Sequence, residues 1–149
     1  MCVADLTDLK VTLSVFVAMN FKTVTYWIAR LLAAVIMIQT LYFKFSASEE
    51  SVYIFTTVGM EPWGRIGVGV MELIASILLI ISATAWLGAL IALGLMAGAL
   101  SMHLTILGIE VNDDGGYLFI LCLIVAICSA YILYLDREKI KRFLKRFTS

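Results

Sequence analysis

The chain has 149 residues, of which 62% are hydrophobic and 15% are charged, and its formal net charge is zero. Its mean hydropathy is +1.02. Soluble domains are roughly half apolar and one-quarter charged, so this composition excludes an ordinary soluble domain and predicts an integral membrane protein whose main partner is the lipid bilayer.

Four apolar runs are long enough to cross a bilayer, which takes about 20 residues as a helix. They cover residues 25–43, 66–84, 87–108 and 117–135. The second and third runs are almost continuous, but one helix of about 40 residues would be about 60 Å long, so they must form a hairpin. The runs lack the alternation of β-barrel strands. The sequence therefore predicts an all-α, four-transmembrane-helix bundle over residues 25–135.

Residues 1–24 precede the first span and predict a cytoplasmic or interfacial N-terminal arm. Arg30, near the start of that span, is expected to extend its guanidinium to the cytoplasmic headgroups.

The first loop predicts a short amphipathic helix. Ser46 or Ser48 can cap its first turn, Glu49 and Glu50 complement its dipole, and Gly59 suits its C-terminal end. Further along the chain, Gly94 and Gly98 form a G-x-x-x-G spacing, which predicts close packing of the third span against another helix of the monomer, with a dimer interface as the alternative.

The basic residues predict orientation. Three lie before or at the start of the first span, and six follow the last span: Arg137, Lys139, Lys141, Arg142, Lys145 and Arg146. The positive-inside rule then places both termini in the cytoplasm and the first and third loops outside. Residues 136–149 predict a basic amphipathic tail helix that is attracted to anionic lipid. Because topology accounts for these charges, no nucleic-acid partner is expected.

This topology brings polar residues from separate spans to the outer end of the bundle. Lys44 ends the first span, Glu72 lies inside the second, and His103 lies near the end of the third. These are the main candidates for a ligand-binding or proton-relay site, because membrane-embedded ionisable groups are costly and histidine titrates near neutral pH. The same end contains three lesser candidates, Arg65, Asp113 and Asp114.

Two interpretations of Glu72 stay open. A charged carboxylate at this depth costs about 2.5 kcal/mol or more, so it is either paired or protonated. A structural Glu72–Lys44 ion pair would explain both residues without any function. No metal site is expected, because the chain lacks spacings such as H-E-x-x-H and C-x-x-C.

Several short stretches occur in a characteristic order. They are QTLYFKF at the end of the first span, VYIFTTVGMEPWGRI leading into GVGVMELIASILLI, SMHLT around His103, and NDDGG before the last span. In these stretches and their spacing, over residues 26–135, the chain resembles the DoxX and DoxX-like family of small four-helix membrane proteins. The resemblance implies the fold. The family includes the membrane subunit of a thiosulfate:quinone oxidoreductase and distant relatives linked to redox-stress complexes or membrane-protein assembly.

The leading hypothesis is a bacterial inner-membrane component of a redox or quinone-linked complex. Quinone reduction takes up protons, which suits a histidine beside a buried carboxylate. No flavin, haem or iron–sulfur motif is present, so electrons would come from a soluble or membrane oxidoreductase subunit or from a non-covalent cofactor. The alternative hypothesis is a non-enzymatic assembly or scaffolding factor. Whether the chain is an enzyme, which cofactor it binds and its oligomeric state stay open.

Overall fold

A computed structural model describes the backbone of residues 3–148 and the side chains of residues 20–146. The described part contains the α-helices α1 (Val3–Phe45), α2 (Glu49–Thr57), α3 (Trp63–Ile80), α4 (Ala85–Met102) and α5 (Tyr117–Thr148). A π-helical turn, His103–Leu107, continues α4. No β-strand occurs among the described residues.

Four of these helices are long and apolar enough to cross a membrane. Their candidate spans are Asn20–Phe45, Trp63–Ile80, Ala85–Leu107 and Tyr117–Arg146. Large apolar side chains such as Val35, Ile77 and Ile127 are exposed on the outside of the bundle. Such a surface is unfavourable in water but suits contact with lipid chains. The predictions of an all-α fold, of four helices able to span a membrane and of an integral membrane protein are confirmed for the described residues.

The spans pack in the cyclic order α1, α3, α4, α5, each against two neighbours. The core between them contains fully buried small residues, among them Ala33, Ala75 and Ala92. Small residues let helix backbones approach closely, which stabilises helix association in lipid. Helices α3 and α4 approach closely at Gly88, where a Cβ atom would lie 2.7 Å from the backbone nitrogen of Leu79.

The bundle has two different ends. The α2 end contains α2, the last turn of α1, the first turn of α3, the π-helical turn and the first turn of α5. The hairpin end contains the short α3–α4 connection, residues 81–84, together with the basic part of α5. Which end faces the cytoplasm stays a prediction, as does the location of the termini.

The helix boundaries differ in detail from the sequence pattern. Helix α1 is continuous from Val3 to Phe45, so residues 3–24 belong to the same helix as the first span. Side chains before Asn20 lie outside the described residues, and the interfacial placement of the arm stays a prediction. Helix α3 ends at Ile80, before the predicted end of residues 66–84. Helix α5 continues through the basic tail to Thr148.

The prediction that Arg30 extends to the headgroups is wrong. Its relative exposure is only 1%. Its Nε donates to Leu79 O at 2.6 Å and its Nη2 to Ile80 O at 2.7 Å. These carbonyls end α3 and lack partners within the helix, so the guanidinium satisfies them where water is absent. Its guanidinium also lies over the Trp27 ring, 3.9 Å from the centroid.

Helix α2 closes the other end of the bundle. Ser48 is its N-cap, and the hydroxyl accepts a hydrogen bond from Ser51 N at 3.3 Å. Gly59 follows the helix with φ +73, a conformation that glycine adopts without strain. The helix contacts α1, α3 and the π-helical turn, and its Phe55 side chain is buried against the bundle.

Candidate functional site

The α2 end encloses a cavity of about 340 Å³. All four spans and α2 contribute to its lining, because the antiparallel arrangement brings the end of α1, the first half of α3, the end of α4 and the start of α5 together. Lys44, Glu72 and His103 all line this cavity. The structure thus brings the three main sequence-predicted residues to one site.

Lys44 and Glu72 form an ion pair across α1 and α3. Lys44 Nζ lies 2.9 Å from Glu72 Oε2, with side-chain exposures of 14% and 5% respectively. The Thr40 hydroxyl lies 3.1 Å from the same oxygen. The second oxygen, Glu72 Oε1, accepts no hydrogen bond from the residues that the structure describes. The pair neutralises a buried charge and leaves one carboxylate oxygen available.

The positions of Lys44 and Glu72 depend on small neighbours along α3. A Cβ atom at Gly69 would lie 3.2 Å from the Phe45 ring and 3.6 Å from Lys44 Cβ, so the missing side chain makes room for the end of α1. Ser76, one turn after Glu72, donates its hydroxyl hydrogen to Glu72 O at 2.7 Å. Helix α1 can therefore approach the Glu72 face of α3 closely.

Arg65, one of the lesser candidates, supports the site without lining the cavity. It is buried and binds Glu61, with its Nη2 2.8 Å from Glu61 Oε1. Its Nη1 donates to the backbone oxygen of Lys44. This bond satisfies a carbonyl at the end of α1 and fixes the backbone of Lys44 against α3. Glu61 was not predicted from the sequence, because it lies in the turn before α3, where helical spacing does not indicate a partner for Arg65.

His103 begins the π-helical turn and is buried beside the cavity. Its Nδ1 lies 2.8 Å from Gly108 O. A carbonyl oxygen only accepts hydrogen bonds, so Nδ1 donates, and the neutral ring presents its lone pair at Nε2. The Phe119 ring packs edge-on at 5.7 Å and fixes the imidazole plane. The turn therefore holds a proton acceptor in a defined tautomer.

The two remaining lesser candidates, Asp113 and Asp114, lie outside the cavity lining. Asp114 accepts hydrogen bonds from the backbone nitrogens of Val111, Gly116 and Leu118, each at 2.9 Å. Partial burial alone raises the pKa of Asp114, but these three donors and the nearby His103 outweigh it, so the pKa lies below its usual value. Asp113 is exposed. Asp114 therefore stabilises the third loop and the first turn of α5 by accepting hydrogen bonds from their backbone nitrogens.

Other cavity residues were not singled out as site residues from the sequence. Thr40 could have been, because it precedes Lys44 by one helical turn. Cys122 lines the cavity, although its sequence context indicates only packing. Ser51 and Phe55 of α2 also line it, and only the folding of the first loop over the bundle reveals their position.

The prediction that Gly94 and Gly98 pack closely against another helix of the same chain is wrong. Both line the cavity, and a Cβ atom at either would meet no atom within 4 Å. Both glycines are also exposed, so the cavity opens to the side of the bundle along this part of α4. The small residues here make space for a cavity, whereas Gly88 makes space for a helix.

The cavity therefore combines an ammonium group, a carboxylate oxygen and an imidazole lone pair with predominantly apolar walls. Such a site can bind a small molecule whose polar groups both donate and accept hydrogen bonds. Among the described residues, no three His, Cys, Asp or Glu side chains lie close enough together to hold a metal ion.

Comparison with known proteins gives one match. The DoxX family model matches residues 25–105, which is more than half of the chain. No curated protein and no solved structure matches. The matched range contains Lys44, Glu72 and His103, together with α2, the second span and most of the first and third spans. On this match the chain belongs to the DoxX family.

Proposed function

We propose that this protein is a bacterial inner-membrane component of a redox or quinone-linked complex, and that its cavity binds the quinone headgroup. The supporting observation is that Lys44, Glu72 and His103 all line one largely apolar cavity. The cavity volume of about 340 Å³ lies within the ordinary range of small-molecule sites.

The polar groups suit both redox forms of such a ligand. Quinone carbonyl oxygens accept hydrogen bonds, which the Lys44 ammonium can donate. Quinol hydroxyls donate hydrogen bonds, which Glu72 Oε1 and His103 Nε2 can accept. Conversion of a quinone to a quinol takes up two electrons and two protons. His103 can relay these protons by accepting each one at Nε2 and passing it to the quinone, while the electrons come from a partner oxidoreductase subunit.

The apolar walls suit the rest of the molecule. Leu95, Met102 and Leu121 line the cavity and would contact the ring. The exposed positions of Gly94 and Gly98 connect the cavity to the side of the bundle, where lipid lies. A ligand with an apolar tail could enter there without crossing the aqueous phase.

The test is equilibrium binding of a short-tailed quinone to the purified protein in mild detergent. Quenching of tryptophan fluorescence measures the bound fraction. Glu72→Gln removes the charge while keeping the side-chain shape, and we expect it to weaken binding at least tenfold. Glu49→Gln, an exposed position on α2 outside the cavity lining, is the matched control and should bind as the wild type does. A folded Glu72→Gln protein with wild-type quinone affinity would show that the proposal is wrong.

A second candidate function is a non-enzymatic assembly or scaffolding factor for other membrane proteins. The observation that favours it is that Lys44 and Glu72 already satisfy each other at 2.9 Å, as a purely structural pair would. In that case Glu72→Gln should lower stability, because Lys44 would be left buried and unpaired. Absence of quinone binding by the wild type, together with reduced thermal stability of Glu72→Gln, would favour this candidate.

A further inference from the structure

A second concave region lies at the hairpin end, at the opposite end of the bundle from the cavity. It is lined by Trp86 at the start of α4 and by Lys139, Arg142, Phe143 and Arg146 of α5, and its volume is about 410 Å³. We call it the tail groove. It shares no lining residue with the cavity at the α2 end.

An aromatic contact fixes the geometry of the tail groove. The rings of Trp86 and Phe143 lie 5.0 Å apart at an interplanar angle of 52°. Side chains on a helix lean towards its N-terminus, so Trp86 leans out of the bundle while Phe143 leans back towards it. Their contact holds the basic part of α5 beside the start of α4. Lys139, Arg142 and Arg146 follow i, i+3, i+7 spacing, so they share the Phe143 face.

The charges in the groove are only partly compensated. Lys139 Nζ pairs with Asp136 Oδ1 at 2.7 Å, and the buried Asp136 also accepts a hydrogen bond from the Tyr26 hydroxyl at 2.6 Å. Arg142 Nε donates to Glu138 O at 3.3 Å within its own helix. Neither Arg142 nor Arg146 forms an ion pair within the part of the chain that the structure describes. Two guanidinium groups without an anionic partner therefore border one groove.

The acidic group nearest in sequence, Glu138, is engaged elsewhere. Its Oε1 lies 2.9 Å from Lys141 Nζ and 3.8 Å from Arg137 Nε. Arg137 and Lys141 lie on the opposite side of α5 from Arg142 and Arg146, as the helical period requires. Arg137 and Lys141 on one face of the tail thus pair with Glu138, whereas Arg142 and Arg146 on the other face form no ion pair among the described residues.

The composition of α5 and α4 indicates that the groove lies at the level of the lipid headgroups. The apolar run of α5 ends at Leu135, and the charged tail begins at Asp136. Trp86, in the first turn of α4, marks the same level, because tryptophan favours the membrane interface. One turn further into α4, the exposed Leu90 extends the Trp86 face into the hydrocarbon region. The basic residues of the tail match the headgroup of a phospholipid, and the apolar surface at Leu90 matches its acyl chains.

From this arrangement we propose that the tail groove is a specific site for an anionic phospholipid. Arg142 and Arg146 bind the phosphate, since planar guanidinium groups match phosphate oxygens in bidentate geometry. Trp86 and Phe143 form the wall beside the glycerol region, and an acyl chain follows Leu90. Basic pockets beside membrane helices are known to favour anionic headgroups, and here two unpaired arginines and an aromatic wall define one.

The test is native mass spectrometry of the full chain in mild detergent with added phosphatidylglycerol or phosphatidylcholine of the same acyl chains. We expect the wild type to retain one phosphatidylglycerol at least tenfold more tightly than phosphatidylcholine. Arg142→Gln/Arg146→Gln should abolish this preference. Arg137→Gln/Lys141→Gln removes the same charge from the opposite face and should preserve it. Circular dichroism checks that each variant keeps its helix content.

Several outcomes would overturn the proposal. Equal losses in the two double variants would indicate general attraction to the basic tail without a site. Displacement of phosphatidylglycerol by millimolar inorganic phosphate would indicate a free-anion site. A further variant, Phe143→Ala, keeps every charge and should also weaken retention if the aromatic wall contributes; full retention would contradict that part of the site. None of these results depends on quinone binding at the α2 end.

Discussion

Both ends of the bundle contain buried charged residues, but they differ in what those residues have left to bind. At the hairpin end, Arg30 directs its donors to Leu79 O, Ile80 O and the Ser82 hydroxyl, with aromatic rings on its face. At the α2 end, Glu72 Oε1 and His103 Nε2 have no partner among the described residues, and a cavity lies beside them. Burial of a charge therefore does not by itself indicate a site; unused bonding capacity beside a cavity does.

At both ends, an arginine of one helix binds backbone oxygens at the C-terminal end of the other. Arg30 of α1 binds the last carbonyls of α3, and Arg65 of α3 binds the backbone oxygen of Lys44 at the end of α1. Because α1 and α3 run in opposite directions, each helix supplies the arginine that satisfies the end of the other. This exchange keeps the register between α1 and α3, on which the Lys44–Glu72 contact depends.

Removing the hairpin-end arginine should give the largest effect. Arg30→Gln leaves carbonyls at the end of α3 without partners, and each such group costs about 1–3 kcal/mol, so we expect a loss of about 3 kcal/mol or more. The measurement is equilibrium unfolding in mixed detergent micelles. Arg137→Gln, at an exposed position, is the control. A stable Arg30→Gln protein would contradict the structural role of this end.

A pair of glycine variants compares the packed end with the cavity wall. In Gly88→Ala the new Cβ would lie 2.7 Å from Leu79 N and 2.8 Å from Ala75 O, so we expect destabilisation of about 2 kcal/mol from overpacking. In Gly98→Ala the Cβ meets no atom within 4 Å, and the helix gains about 0.5–1 kcal/mol. Thermal unfolding of both proteins measures the contrast. Equal destabilisation would mean that α4 is tightly packed at both positions.

Filling the cavity should affect binding more than folding. Gly98→Leu places an apolar side chain in the cavity, and we expect quinone affinity to fall about tenfold, or about 1.4 kcal/mol. Gly67→Leu is the matched control, because Gly67 is exposed and outside the cavity lining. Quinone titration of both purified variants gives the comparison. Unchanged affinity of Gly98→Leu would place the ligand elsewhere.

The smallest expected effect concerns the third loop at the α2 end. Asp114→Asn loses the acceptor for Leu118 N and should cost about 1 kcal/mol at neutral pH. Because folding lowers the pKa of Asp114, its contribution is present above the unfolded pKa of about 3.9 and is lost as pH falls through the folded pKa. The difference in free energy of unfolding between the wild type and Asp114→Asn, measured at several pH values, should therefore shrink as the pH falls. Asp113→Asn should show no such difference.

Much of the fold could be predicted from hydrophobicity alone. Apolar runs of sufficient length require helices in lipid, and the nearly continuous second and third runs require a hairpin. The same reasoning brought Lys44, Glu72 and His103 to one end. The fate of Arg30 could not be predicted, because a pattern of spans does not show that α3 ends beside it. Gly94 and Gly98 were misassigned for a similar reason, since small residues permit close packing and open space equally.

The sequence by itself determined the membrane environment, the number of spans and the end at which the polar residues gather, because each follows from local hydrophobicity and chain direction. Only the tertiary structure decided which polar groups remain unpaired. Polar contacts between helices form only when the distance between the two atoms is right to within a few tenths of an ångström. The 2.9 Å between Lys44 Nζ and Glu72 Oε2 is an example. Those distances arise from the packing of small side chains on several helices at once, which no single stretch of sequence encodes.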